Sequence, residues 1–269
     1  VMMVGAGLSV AGVTYQAVLR NALASPDVLG TSSAAAFGAA LGILLGFPLQ
    51  LSAFSSFFFG IVSLLCVMGL CYFKKNNGEL TTILSGIIVA SVFMSFVSII
   101  KYVADPQDEL PAIVFWLMGS FASLVKDQVY GLIPLYIICY LVIYKLRWKI
   151  NVLSLGNDEA KIAGMNPQLL NTVLLITASI LVAASVTIAG VVGWVGLVIP
   201  HLVRTLVGYN HSKLIPASAV CGALFLLVID NLARTLTYAE IPIGILTALV
   251  GAPLFAVLFI MSNRYDRSE

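Results

Sequence analysis

Residues 80–103 read LTTILSGIIVASVFMSFVSIIKYV. This single apolar run is long enough to cross the bilayer core as a helix, which takes about 20 residues. Similar runs recur along the chain. Apolar segments lie approximately over 1–20, 32–47, 53–73, 80–103, 128–147, 170–190, 194–207, 213–236 and 243–262. The reading is an all-α polytopic membrane protein with about nine transmembrane helices, forming a single domain over 1–269. The segment 194–207 is short and holds Pro200, so a broken or tilted helix is expected there. The run 111–121 is too short to span and is expected to lie on or dip into a membrane face.

Composition requires the same solvent. Of 269 residues, 60% are hydrophobic and 10% charged, with a mean hydropathy of +1.04. Soluble domains carry about 25% charged residues, so this chain could not cover a globular surface with solvated groups. Cys66, Cys71, Cys139 and Cys221 lie in apolar runs with no C-x-x-C pair, and read as small packing residues. Two histidines, His201 and His211, are too few for a cluster. The chain starts inside an apolar run, with no basic flank and no signal-peptide pattern, so it is expected to begin within a helix.

Basic residues orient the bundle. With the loop after the first segment placed in the cytoplasm, that side holds Arg20, Lys74, Lys75, Lys145, Arg147, Lys149, Lys161, Arg204, Lys213, Arg264 and Arg267. The other side holds Lys101, Lys126 and Arg234, so the bias is eleven against three. The C-terminus is then cytoplasmic. The loop 105–109 on the opposite side is acidic.

Gly38, Gly42 and Gly46 recur every four residues in the second segment, where a neighbouring helix can approach closely. Ordinary helix packing explains them, and lining a pathway is the alternative. Ser9–Val13 weakly echoes Thr187–Val191. With the first segment running inward and the sixth outward, that hints at an inverted repeat.

Sites for chemistry are scarce. There is no G-x-x-x-x-G-K-[ST] phosphate loop, no G-x-S-x-G and no H-E-x-x-H, and nothing calls for a catalytic residue, metal, cofactor or nucleic acid. Asp230 is the clearest ionisable residue inside an apolar segment. Arg234 follows it by one helical turn, either as a structural ion pair or facing outward towards an acidic partner. The longest cytoplasmic loop runs from Arg147 to about Gln168. Within it, a short polar helix is expected to be capped by Asn157 or Asp158 and stopped by Gly164, with Pro167 beyond. It is either a solvated loop or a docking helix. Pro200 frees a backbone carbonyl, and His201 reads as a hydrogen-bonded structural residue.

Three stretches carry a resemblance. Gly5–Gly30, GAGLSVAGVTYQAVLRNALASPDVLG, contains Gly12, Gln16, Arg20, Asn21 and Pro26. It resembles the G-x-x-L-x-x-A-G-x-x-x-Q-x-x-x-R-N-P-L-A-x-P-x-x-L-G signature of FecCD-type permeases, departing only at Ala22. Gly193–Arg204, with Pro200 and His201, is similar to that family's G-F-I-G-L-V-x-P-H-x-x-R. Glu240–Pro253, with Pro242 and Gly244, is similar to E-x-P-x-G-x-x-T-A-x-x-G-x-P, and Asp230 and Arg234 precede it.

The resemblance implies a permease subunit of a binding-protein-dependent ABC importer of iron-siderophore, haem or cobalamin, in the plasma membrane. It implies ten helices in the full family, so a first helix, with an R-L-P-R segment, is expected before Val1. Two permease subunits would pair, as a homodimer, around the path. ATPase subunits would dock on a cytoplasmic coupling loop at 151–167, through Leu155, Gly156, Glu159, Ala160, Ile162 and Gly164. An extracellular binding protein with acidic knobs would meet Arg234. The rival is an ion-coupled secondary transporter, which would need intramembrane carboxylates or unwound sodium sites.

Overall fold

The computed structural model describes residues 1–74, 78–122 and 126–265. Among these are eleven α-helices. They are α1 (Met2–Val18), α2 (Thr31–Leu44), α3 (Leu49–Phe73), α4 (Glu79–Val103), α5 (Glu109–Leu117) and α6 (Lys126–Leu155). Then follow α7 (Asn157–Ile162), α8 (Pro167–Ala189), α9 (Val195–Val207), α10 (His211–Thr235) and α11 (Ile243–Tyr265). All nine expected apolar segments are helical, and the run at 111–121 forms the nine-residue α5. Among the described residues, five helices (α3, α4, α6, α8 and α10) are long and apolar enough to cross a bilayer, while α1, α2, α9 and Ile243–Leu258 of α11 are shorter apolar stretches.

The core is built around α1. From Val4 to Val18 it is buried on nearly every side, with α6, α8, α9 and α10 packed around it. Small residues allow this. A Cβ on Gly5 would stand 2.2 Å from the carbonyl oxygen of Gly222, and one on Gly7 would stand 2.5 Å from the Tyr136 ring. With little side chain between them, the helices meet backbone to backbone, and van der Waals packing holds them together in lipid. Two tyrosines bring hydroxyls into this core and find partners on α8. Tyr15 pairs with Ser179 and Tyr136 with Ser185, both at 2.7 Å.

Three expectations change. The fifth apolar segment does not stop near residue 147, because α6 runs on to Leu155. Ile143, Ile150 and Leu153 stay buried at helical spacing, so the packing face outlasts the hydropathy. The coupling segment at 151–167 is therefore the end of α6, all of α7 and the start of α8. Gly46 does not join Gly38 and Gly42 on a helix face. Gly38 and Gly42 lie against Ser55 and Ser52 of α3, whereas Gly46 turns the chain with φ +66° beyond the end of α2. Ser9–Val13 and Thr187–Val191 do not share a local structure. The first stretch is continuous helix, and the second crosses the end of α8 at Gly190, φ +68°.

The loops collect on two faces. On the first, Arg20 after α1 pairs with Glu79 at the start of α4. There too, Asn151 of α6 hydrogen-bonds Asn210 and His211 at the α9–α10 junction. On the second face, the turn after α5 meets the links on either side. Ser120 N–H donates to the Ala189 carbonyl and Ile243 N–H to that of Gly119. Arg20 and Arg204 lie on the first face and Arg234 on the second, while Lys75 and Arg267 lie outside the described residues.

Candidate functional site

The link from α1 to α2, placed in the cytoplasm by the sequence, starts at one face and climbs back into the bundle. After Arg20, Asn21 caps the turn by accepting the Leu23 N–H at 2.9 Å. The chain then rises to a 3-10 turn over Pro26–Leu29. Pro26 rests on Gly196, and Gly196 faces Gly12, about 12 Å of helix above Arg20 at 1.5 Å per residue. The turn is seated on α4, where a Cβ on Gly86 would stand 1.9 Å from the Val28 carbonyl oxygen. Gly30, with φ +70°, lies against Ala90. This re-entrant segment explains the shortness of α2, which starts inside the bundle.

Asp27 sits on that turn, exposed and hydrogen-bonded to Ser32. A carboxylate at this depth cannot face lipid without a large penalty and belongs where water or polar partners reach. The sequence reading gave Asp230 that distinction and passed over Asp27, because hydropathy reports composition and not depth. The signal available was a Pro-Asp pair inside a ten-residue link.

The other site residues fall into three groups. Gly12, Gln16, Arg20 and Pro26 join α1 to its neighbours. Gln16 accepts a hydrogen bond from Arg204 at 2.8 Å, holding the ends of α1 and α9 together. In α9, Pro200 is buried within the helix. His201 departs from expectation, since neither ring nitrogen has a hydrogen-bond partner among the described residues. Its ring packs on Phe255 of α11, with centroids 5.5 Å apart. Aromatic packing, not a hydrogen bond, holds it.

The second group closes the second face. Arg234 donates from Nε to Asp230 and from Nη1 to Glu240, both at 3.0 Å. Its side chain is 42% exposed while that of Asp230 is 11% exposed. The Gly244 N–H donates to the Met118 carbonyl at 3.0 Å, and a Cβ there would stand 2.5 Å from that oxygen. Pro242, whose carbonyl accepts the Ile245 N–H, starts the turn into α11.

The third group is α7, on the first face. Its cap is Gly156, not Asn157 or Asp158, and no side-chain cap bond forms. Gly156 has φ +154°, a backbone conformation that strains any other residue, and a Cβ there would also have to displace the Glu159 carboxylate. Ala160 is fully buried, seating α7 on α6 and α8. Gly164, φ +76°, ends the segment. Lys161 donates to Asp158 at 2.9 Å, which holds that exposed carboxyl below the usual aspartate range. On the outer side, Leu155 and Ile162 are 73% and 88% exposed.

A bundle of this kind, with a re-entrant link and a short helix on one face, is that of an ABC transporter permease. The chain matches the FecCD transport family over residues 1–261 and belongs to it. It is 41% identical over 268 residues to the molybdate import system permease protein of Haemophilus influenzae, covering 100% of this chain and 80% of that one. It is 38% identical over 257 residues to a probable iron chelatin transport system permease protein of Helicobacter pylori, with 94% and 77% covered. It is 35% identical over 274 residues to the haemin transport system permease protein of Yersinia pestis, with 99% and 81% covered. Among solved structures, a metal-chelate type ABC transporter in an inward-facing conformation superposes with a TM-score of 0.92 at 42% identity, covering 97% of this chain and 83% of that one. The PsaBC structure from Streptococcus pneumoniae shares the fold, with a TM-score of 0.65 at 18% identity over 96% and 88% of the two chains.

Proposed function

We propose that this chain is the path-forming, non-catalytic subunit of a binding-protein-dependent importer, moving a metal chelate with ferric siderophore as the first candidate. The observation that carries the reading is the exposed pair Leu155 and Ile162. One large aliphatic side chain ends α6 and the other ends the polar six-residue α7, and side chains so exposed at the rim of the bundle are suited to burial in a partner. An exposed apolar patch of this sort marks an interaction surface. The partner is an ATPase subunit, which makes the first face cytoplasmic and leaves the C-terminus inside.

The remaining assignments follow. The exposed apolar faces of α4 and α11 suit lipid and a second copy of the chain. Arg234, held by Asp230 and Glu240 on the extracellular face, is the docking point for a binding protein's acidic groups. Closure of the ATPase pair pushes α7 and rocks the permease pair between outward-open and inward-open states.

The test is co-purification of the full transporter with its ATPase, followed by ATP hydrolysis stimulated by the binding protein. Gly156→Glu with Ala160→Glu is expected to abolish both. Unaltered uptake by that variant removes the docking assignment. Asp27 gives the secondary-transporter reading one intramembrane carboxylate to work with. Uptake driven by an ion gradient, without an ATPase, would favour that reading.

A further inference from the structure

A cavity of about 540 Å³ separates α7 from α3 and α4. Asn157 and Lys161 of α7, Met68 of α3 and Thr82 of α4 line it, together with the start of α8 and the end of α1. Packed side chains transmit displacement because interiors are dense. Across the cavity a direct route is missing, so a push on α7 reaches α4 by packing only indirectly, through α8 and α3.

Arg20 offers a more direct link. Its Nη1 lies 3.5 Å from the position a Cβ on Gly156 would take, at the turn that starts α7. Its Nε and Nη2 both donate to Glu79 Oε1 at the start of α4. The residue is also fixed to α1. Its backbone is left-handed, φ 44°, with its N–H on the Ala17 carbonyl and the next N–H on that of Gln16. A non-glycine residue in this region is uncommon and is retained where the surroundings over-determine it. From Glu79, α4 continues to Gly86 and Ala90, which seat the re-entrant turn bearing Asp27.

We propose that Arg20 is a positioning residue that carries displacement of α7 to α4 through its ion pair with Glu79. Three elements meet at one guanidinium: the coupling helix, the end of the central helix, and the helix that holds the re-entrant turn. The inference rests on the importer reading above.

The test uses the complete transporter with its ATPase and binding protein in proteoliposomes, reading chelate moved per ATP hydrolysed. Glu79→Gln and Arg20→Gln are expected to retain the ATPase and hydrolyse ATP. Chelate moved per ATP should fall about fivefold, the size of a partly exposed pair worth about 1 kcal/mol. The reversed pair, Arg20→Glu with Glu79→Arg, should recover most of the loss, and Arg20→Lys should lie between. An unchanged ratio in the single variants overturns the proposal. So does loss of ATPase binding without rescue by the reversed pair, which would mark a structural role only. If the unmodified chain binds no ATPase, the importer reading fails first, and the two failures are separable.

Discussion

Gly12 and Gly196 meet face to face, so closely that a Cβ on Gly12 would stand 1.8 Å from the carbonyl oxygen of Gly196. The contact joins α1 to α9 and forms the shelf on which Pro26 rests. The blocking atom is backbone, so no side chain can turn aside to make room. Gly12→Ala is expected to lower stability by about 2 kcal/mol, in the range of an overpacked core, and Gly12→Leu to prevent folding. Gly69 on α3 is the control, since nothing lies within 4 Å of a Cβ there. Gly69→Ala should leave the melting temperature unchanged or raised, because alanine favours helix by about 1 kcal/mol over glycine. Thermal unfolding of the purified protein in detergent compares the three.

The helices were legible because lipid allows little else. Apolar runs of 80–103 or 213–236 can satisfy their backbone in a bilayer only as helices. The joints were legible only in part. Gly12, Gln16 and Pro26 stood out through the family signature, but nothing in their spacing says that Gln16 meets Arg204 or that Pro26 meets Gly196. Those contacts bring together residues far apart in the chain. Asp27 was missed for a related reason, because a turn buried by neighbouring helices has the composition of a surface loop. The end of α6 was legible in hindsight through Ile143, Ile150 and Leu153, whose helical spacing persists where charges lower the hydropathy.

Asp27 provides a direct test of the re-entrant turn. If the turn borders an aqueous path, a cysteine at position 27 in a background lacking the four native cysteines reacts with a membrane-impermeant maleimide. The reaction should slow when the binding protein and nucleotide change the state of the transporter. A cysteine at Phe58, exposed on the apolar helix α3 where lipid would cover it, should not react. Equal labelling at both positions would remove the distinction between path and lipid. Asp27→Asn, which keeps a group able to bond Ser32, should fold as the parent does.

On the second face, the carboxylate of Asp230 is nearly buried and its partner is half exposed. Removing one partner of such a pair is not symmetric. Arg234→Met strands a carboxylate in a dry position and is expected to cost about 1–3 kcal/mol, the penalty of an unsatisfied buried group. Asp230→Asn leaves a guanidinium that still has Glu240 and water, and should cost less. A double-mutant cycle on thermal unfolding measures the coupling. Binding-protein affinity should drop in Arg234→Met even at temperatures where the fold is intact.

Asp158 and Ala160, two residues apart on α7, should behave oppositely. The Asp158 carboxyl is held below its usual range by Lys161. A depressed folded pKa contributes stability above the ordinary aspartate range and loses it as pH falls through the lowered value. The pair is fully solvated, so Asp158→Asn should leave melting nearly unchanged at neutral pH, and on acidification any small contribution should fade from the ordinary aspartate range down through the lowered value. Ala160 is buried against α6 and α8, where a larger side chain has no room. Ala160→Leu should lift α7 from its seat and abolish ATPase binding at any pH while the membrane helices remain folded. Circular dichroism reports on the helices and pull-down of the ATPase reports on the seat. Loss of both together would mean that α7 is part of the fold's core and not an element seated upon it.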